Sequence, residues 1–261
     1  MKKKIAVLFP GIGYTCDKPL LYYTGKLAVA RGYKLVKVEY GNFPSGIKEN
    51  KEKMEEAFRC GLEQAEKILQ DICWEEYEDI LFVSKSIGTV ISSAFARRHQ
   101  LSAKNILFTP LQQTFLFADG NGIVFHGTAD PWADTKDITE GCKKLNLPLI
   151  LTDEGNHSLE TGDTLKDLEN LQQIIDLLFN SLDKLQTKPS PSIRHICGLG
   201  ASVGCERVER TFNTPRLKAQ IWLMKFTGFV CSLSNELNSN KKGVILWEII
   251  LLNKRENILI R

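Results

Sequence analysis

Apolar residues occur in this chain in two patterns, short continuous runs and longer stretches with a helical repeat. Ile5-Ala6-Val7-Leu8-Phe9 is uninterrupted, the pattern of a strand buried on both faces of a parallel sheet. Comparable runs at Leu35–Tyr40, Asp79–Val83, Asn105–Phe108, Gly122–Phe125 and Leu149–Leu151 predict further strands. Helical spacing separates them. It spans Leu20–Ala30, closed by Gly32, and Val90–Arg98. It is clearest from about Glu49 to Ile72, where Met54, Ala57, Phe58, Gly61, Leu62, Ala65, Ile68, Leu69 and Ile72 recur at steps of three and four. A last helix carries Leu168, Leu171, Ile174, Ile175, Leu178 and Leu182 on one face, and Asp134 reads as the cap of another. The alternation predicts an α/β class, a three-layer sandwich of about six mostly parallel strands with helices on both faces, complete by about residue 184.

Charge alters the picture beyond that point. Lys188-Pro189-Ser190-Pro191-Ser192 reads as a linker, and from Thr187 onward 12 Lys+Arg face 5 Asp+Glu, against 22 and 26 in the first 186 residues. The expected division is one domain over 1–185 and a basic C-terminal extension, 186–261, with no assignable fold. The tail's charges are interspersed with apolar runs and form no recognisable nucleic-acid module, so no nucleic-acid partner is expected. The apolar run after Met1-Lys2-Lys3-Lys4 stops at Pro10-Gly11, too soon for a signal peptide. No stretch approaches the roughly 20 apolar residues of a membrane span. Seven cysteines without a C-x-x-C pair argue against a disulfide framework or zinc site; reduced thiols, a cytoplasmic location and no metal are expected.

Candidate chemistry gathers at the carboxyl ends of successive strands. Ile80-Leu81-Phe82-Val83 runs into the small-residue cluster Ser84-Lys85-Ser86-Ile87-Gly88 just before a helix, so Ser86 would sit on a sharp strand-to-helix turn with its hydroxyl at the rim of the sheet. Asp130 follows the fifth strand in His126-Gly127-Thr128-Ala129-Asp130-Pro131-Trp132, and His157 follows the sixth in Gly155-Asn156-His157. Singly, each is an ordinary turn residue. Together they supply what a serine nucleophile needs: an imidazole to take its proton and a carboxylate to orient that imidazole. Lys85 is expected as a solvated or substrate-edge cation, because neighbouring side chains at a sharp turn diverge. His126 suits a structural hydrogen bond, and His99 and His195 have no evident partner.

These segments resemble a compact α/β-hydrolase superfamily serine hydrolase of the dienelactone-hydrolase-like or small-esterase type, over about residues 4–184. The resemblance rests on Leu8-Phe9-Pro10-Gly11-Ile12-Gly13 as oxyanion loop, Ser84–Gly88 as nucleophile elbow, His126–Pro131 as acid loop and Gly155-Asn156-His157 as histidine loop, in the chain order Ser…Asp…His. It departs from the family at Pro10, where histidine is usual, and at Ser84, where glycine is usual. The resemblance implies catalysis by Ser86, Asp130 and His157. The oxyanion would be met by the backbone N–H groups of Ile12 and Ile87, with Tyr14, Leu111 and Trp132 lining the pocket. It implies no cofactor, and the short Thr109–Gly120 connection implies a minimal lid. The substrate expected is a small ester, thioester or related acyl compound. A non-catalytic binding module on the same shell, or an acyltransferase using the same triad, are the alternatives; oligomeric state is not legible.

Overall fold

The apolar runs pair as a single sheet. A computed structural model describes residues 3–43, 46–47, 50–182 and 193–196, all within one unit, Met1–Ser202. The strands are β1 (Lys4–Phe9), β2 (Lys34–Lys37), β3 (Asp79–Lys85), β4 (Lys104–Phe108), β5 (Gly122–Gly127), β6 (Leu149–Thr152) and β7 (Ile193–Ile196). They lie in the order β2-β1-β3-β4-β5-β6-β7, each neighbouring pair parallel. The helices are α1 (Pro19–Ala30), α2 (Lys51–Leu69), α3 (Ile87–Arg98), α4 (Thr135–Leu145) and α5 (Thr164–Ser181).

Residue parity along each strand decides which helix it meets, because successive side chains point to opposite faces. Ala6, Leu8, Leu81, Val83, Ile106, Phe108, Phe125 and Ile150 face one layer, packing with Leu20, Leu21 and Ala28 of α1 and Ile174 and Leu178 of α5. On the other face Phe9 and Phe82 meet Phe95 of α3, with ring centroids 6.3 and 6.2 Å away. Farther along, Leu107, Val124, Leu149 and Leu151 meet Ile138 and Cys142 of α4, and α2 packs on α3. Each fully buried Phe or Leu is worth about 1.5–3 kcal/mol of hydrophobic stabilisation. Local signals fix the helix starts. Asn50 accepts a hydrogen bond from the Lys53 N–H, Asp134 from Lys136 and Asp163 from Leu165 and Lys166.

Two differences from the sequence expectation matter. β2 stops at Lys37, though the Val38 N–H still donates to Leu8 O at 2.9 Å. The sheet has seven strands where about six were expected, and the seventh lies beyond residue 185. Ile193–Ile196 adds to the open edge of β6, with His195 opposite Leu151. The edge of β6 offers unpaired backbone groups that a short extended segment can satisfy, and four residues after a Pro-Ser-Pro run carry too little pattern to reveal it. His195 finds Asp153 (Nδ1 to Oδ1, 2.8 Å) and His99 finds Glu66 (Nε2 to Oε2, 2.7 Å). The rest of the expected 186–261 extension lies outside the described residues. Among the described residues, Cys16, Cys60, Cys73 and Cys142 are free thiols, and no helix is long and apolar enough to cross a membrane.

The topology also marks a crevice. β1 and β3 are neighbours, yet α1 leaves β1 on one face and α3 leaves β3 on the other. Connections diverging from adjacent strands open a cleft at their carboxyl ends, where ligands of open α/β sheets bind.

Candidate functional site

The elbow is built from backbone constraints. Ser86 follows β3 directly with φ 56° and ψ −126°, a conformation that costs a residue with a Cβ about 1–3 kcal/mol and persists only when its surroundings hold it. They do so here. The Ser86 N–H donates to Phe108 O at 3.1 Å. The Thr89 hydroxyl donates to Ser86 O at 2.6 Å and lies 2.6 Å from the Thr114 hydroxyl, which can therefore donate to it in turn. Gly88 is required because a Cβ there would lie 2.3 Å from Phe9 O and 2.5 Å from Pro10 O. Ser84 fits in place of the family's glycine: it is buried, and its hydroxyl reaches Ile106 O at 3.4 Å.

The acid and histidine loops are stapled to each other. The Thr128 N–H donates to Thr152 O at 3.0 Å and the Ala129 N–H to Gly155 O at 2.9 Å. Asp130, its side chain fully buried, accepts the Trp132 N–H on Oδ1 at 2.8 Å. Its Oδ2 lies 2.7 Å from His157 Nδ1, and His157 Nε2 lies 2.8 Å from Ser86 Oγ. A carboxylate can only accept, so Nδ1 carries the proton and Nε2 is left as the acceptor for the serine hydroxyl. Burial draws the His157 pKa below its ordinary value; the hydrogen bond that Nδ1–H donates to Asp130 opposes this, and the charge of Lys85 adds to the lowering. The net lowering favours the neutral imidazole. His126, also held below its ordinary pKa by burial, places Nε2 3.1 Å from the Thr135 hydroxyl, the structural role expected of it.

The structure sorts the remaining candidates. Gly11 and Tyr14 pair across a tight turn, N–H to O at 3.1 and 3.3 Å, with Ile12 at its exposed tip. A Cβ on Gly11 would come 3.0 Å from Ser86 Cβ, so this turn closes over the elbow. The Tyr40 hydroxyl donates to Pro10 O and ties the same turn to the segment after β2. Ile87 is buried at the first position of α3, where its N–H points outward from the helix N-terminus. Trp132 stands beside the imidazole, ring centroids 5.7 Å apart. Leu111 is buried. Tyr14 turns inward: its hydroxyl accepts the Leu20 N–H at 3.1 Å, and it lines a cavity of about 290 Å³ with Leu20, Leu159, Glu160, Leu171 and Ile174. Ser86, Asp130 and His157 are not among that cavity's lining residues. Among the described residues no group of three His, Cys, Asp or Glu is placed to hold a metal.

Lys85 corrects an expectation. It is 2 % exposed, not solvated, and its ammonium lies over the Tyr14 ring, 5.1 Å from the centroid. Strand parity explains the burial. Lys85 continues the Leu81, Val83 series toward the α1 and α5 layer, a signal present in the sequence but masked by treating the residue as part of the turn.

The sequence matches no protein-family model and no curated protein. Solved structures do match. An alpha-beta serine hydrolase homologue from Coxiella burnetii aligns over 70 % of this chain and 86 % of its own, at 15 % identity and a TM-score of 0.51. A protein of the alpha/beta superfamily from Xanthomonas campestris pv. campestris aligns over 70 % and 99 %, at 14 % identity and 0.52. The chain has the α/β-hydrolase fold. Est1E from Butyrivibrio proteoclasticus shares it at 8 % identity and 0.52, over 72 % of this chain and 90 % of that one. At such identities the α/β-hydrolase fold is what is shared, and function has to be argued from the site.

Proposed function

We propose that the chain is a serine hydrolase of the compact esterase type, cleaving a small ester, thioester or related acyl substrate through an acyl-enzyme. The observation that carries this reading is the continuous relay from Asp130 to His157 to Ser86, with contacts of 2.7 and 2.8 Å, on an elbow held at positive φ. Ser86 Oγ attacks the carbonyl carbon as its proton passes to His157 Nε2, and Asp130 stabilises the imidazolium. The backbone N–H groups of Ile87 and Ile12 receive the oxyanion, a contribution of about 10²–10³ in rate for each such donor. Collapse breaks the bond to the leaving oxygen or sulfur, which takes the proton from His157 and leaves the acyl group on Ser86. Water then attacks, again deprotonated by His157, and releases the acid and free Ser86.

What surrounds the serine supports a small acyl substrate. Between β4 and β5 the chain forms only a single 3-10 turn, Gln112–Leu116, so the site has a minimal lid, and Trp132 offers an apolar wall beside His157. The free thiols fit a reducing, cytoplasmic setting.

Turnover of p-nitrophenyl acetate, p-nitrophenyl butyrate and an acyl thioester by the wild type, reduced about 10⁴–10⁶-fold in Ser86→Ala, is the expected result. A folded wild type that hydrolyses none of them contradicts the reading and favours a binding module. The acid limb of kcat/KM belongs to His157, whose lowered pKa is expected to carry activity to more acid pH than an ordinary histidine would allow.

A further inference from the structure

Lys85 is a buried cation that the triad chemistry does not use. Its side chain leaves β3 next to the nucleophile and passes beneath the turn after β1, where its Cδ lies 3.4 Å from the position a Cβ on Gly11 would take. It ends on the ring of Tyr14, the residue that pairs with Gly11 across the turn. The stem and the ammonium therefore meet the two ends of the segment whose tip, Ile12, is the second oxyanion donor in the proposed mechanism. A methionine or leucine would fill this space without a buried charge, so the ammonium needs a reason of its own.

The charged and titratable groups facing it supply one. They are Tyr14 from the turn after β1, Asp130 from the loop after β5, and His157 and Glu160 from the histidine loop. We propose that Lys85 is a positioning residue of this site: its stem supports the Gly11–Tyr14 turn from below, and its ammonium sets the charge against which His157 and the nascent oxyanion work. The inference rests on the serine-hydrolase reading above.

The signs agree with this role. Burial brings the Lys85 pKa down to about 7, with Asp130 and Glu160 opposing the fall. His157 is held below its ordinary pKa chiefly by burial, and the charge of Lys85 adds to that lowering by repelling a second positive charge on the ring. During attack the proton moves onto His157 while negative charge forms on the substrate oxygen. The lysine's attraction for the oxyanion then offsets its repulsion of the imidazolium.

Lys85→Met keeps the length and packing and removes the charge. Two measurements read it: the titration of the His157 ring by NMR, and steady-state hydrolysis of p-nitrophenyl acetate. Below pH 7, where Lys85 is charged, the expected result is a His157 midpoint raised by about half a unit or more, with kcat and KM little changed because the two effects of the charge on the transition state offset. A His157 midpoint identical to that of the wild type overturns the proposal, whatever happens to the rate. If Lys85→Met does not fold, Lys85→Gln carries the same test. Because the ring titration needs no turnover, it separates this inference from the hydrolase reading, which fails instead if the wild type is inactive on all esters.

Discussion

Lys85 and Lys104 are both buried, at opposite ends of the sheet, and the chain houses them differently. Lys104, at the amino end of β4, places Nζ 2.9 Å from Asp79 Oδ2, and the Tyr33 hydroxyl donates to the same oxygen at 2.8 Å. Lys85, at the carboxyl end of β3, meets an aromatic ring, with carboxylates acting on it only through longer-range attraction. A charge buried for structure is paired within hydrogen-bond distance, because an unpaired one is costly. A charge left poorly compensated beside a nucleophile costs stability and shapes the field of the site, the arrangement expected where function constrains the residue.

The comparison can be broken at either end. The largest effect lies at the carboxyl rim: Asp130→Asn, which leaves His157 in the wrong tautomer, is expected to lower kcat about 10⁴-fold with the fold intact, measured on p-nitrophenyl acetate. At the amino end, Asp79→Ala strands the Lys104 ammonium and is expected to cost about 3–5 kcal/mol in urea unfolding, while kcat of the folded protein stays at the wild-type value. Lys85→Met works in the opposite direction. Between about pH 7 and 10.5 the unfolded chain holds a proton on Lys85 that the native protein lacks, so wild-type stability rises with pH across that window. The variant has no such slope. It is therefore expected to be more stable than the wild type below pH 7, by about 5 kcal/mol at roughly 1.4 kcal/mol per pH unit of that window, with the advantage gone near pH 10.5. The smallest effect belongs to Asp134→Ala, which removes the α4 cap: about 1 kcal/mol in thermal unfolding and no change in kcat.

The two ends also differ in how legible they were. The rim was readable because Ser86, Asp130 and His157 each follow a strongly apolar run, and strand ends in a parallel sheet converge in space. Asp134 was recognisable as a cap for the same local reason. Lys85 was misread because its turn context outweighed its place in the Leu81, Val83, Lys85 series, although a two-residue period is what assigns a strand face. The Lys104 to Asp79 pair carried no signal, since the sheet register that brings β4 beside β3 is a tertiary fact. β7 was invisible for a related reason: four residues with little pattern become a strand only because β6 offers them an edge. Tyr14 was placed correctly on a loop at the rim, but its inward turn onto α1 follows from a hydrogen bond to Leu20 that no local pattern announces.

Intact mass after exposure to a fluorophosphonate probe, which reacts preferentially with a serine activated by its base and held beside an oxyanion hole, tests the proposed nucleophile. The wild type is expected to gain one adduct, and Ser86→Ala none. A folded wild type that stays unlabelled, or a Ser86→Ala variant that labels equally, would contradict it.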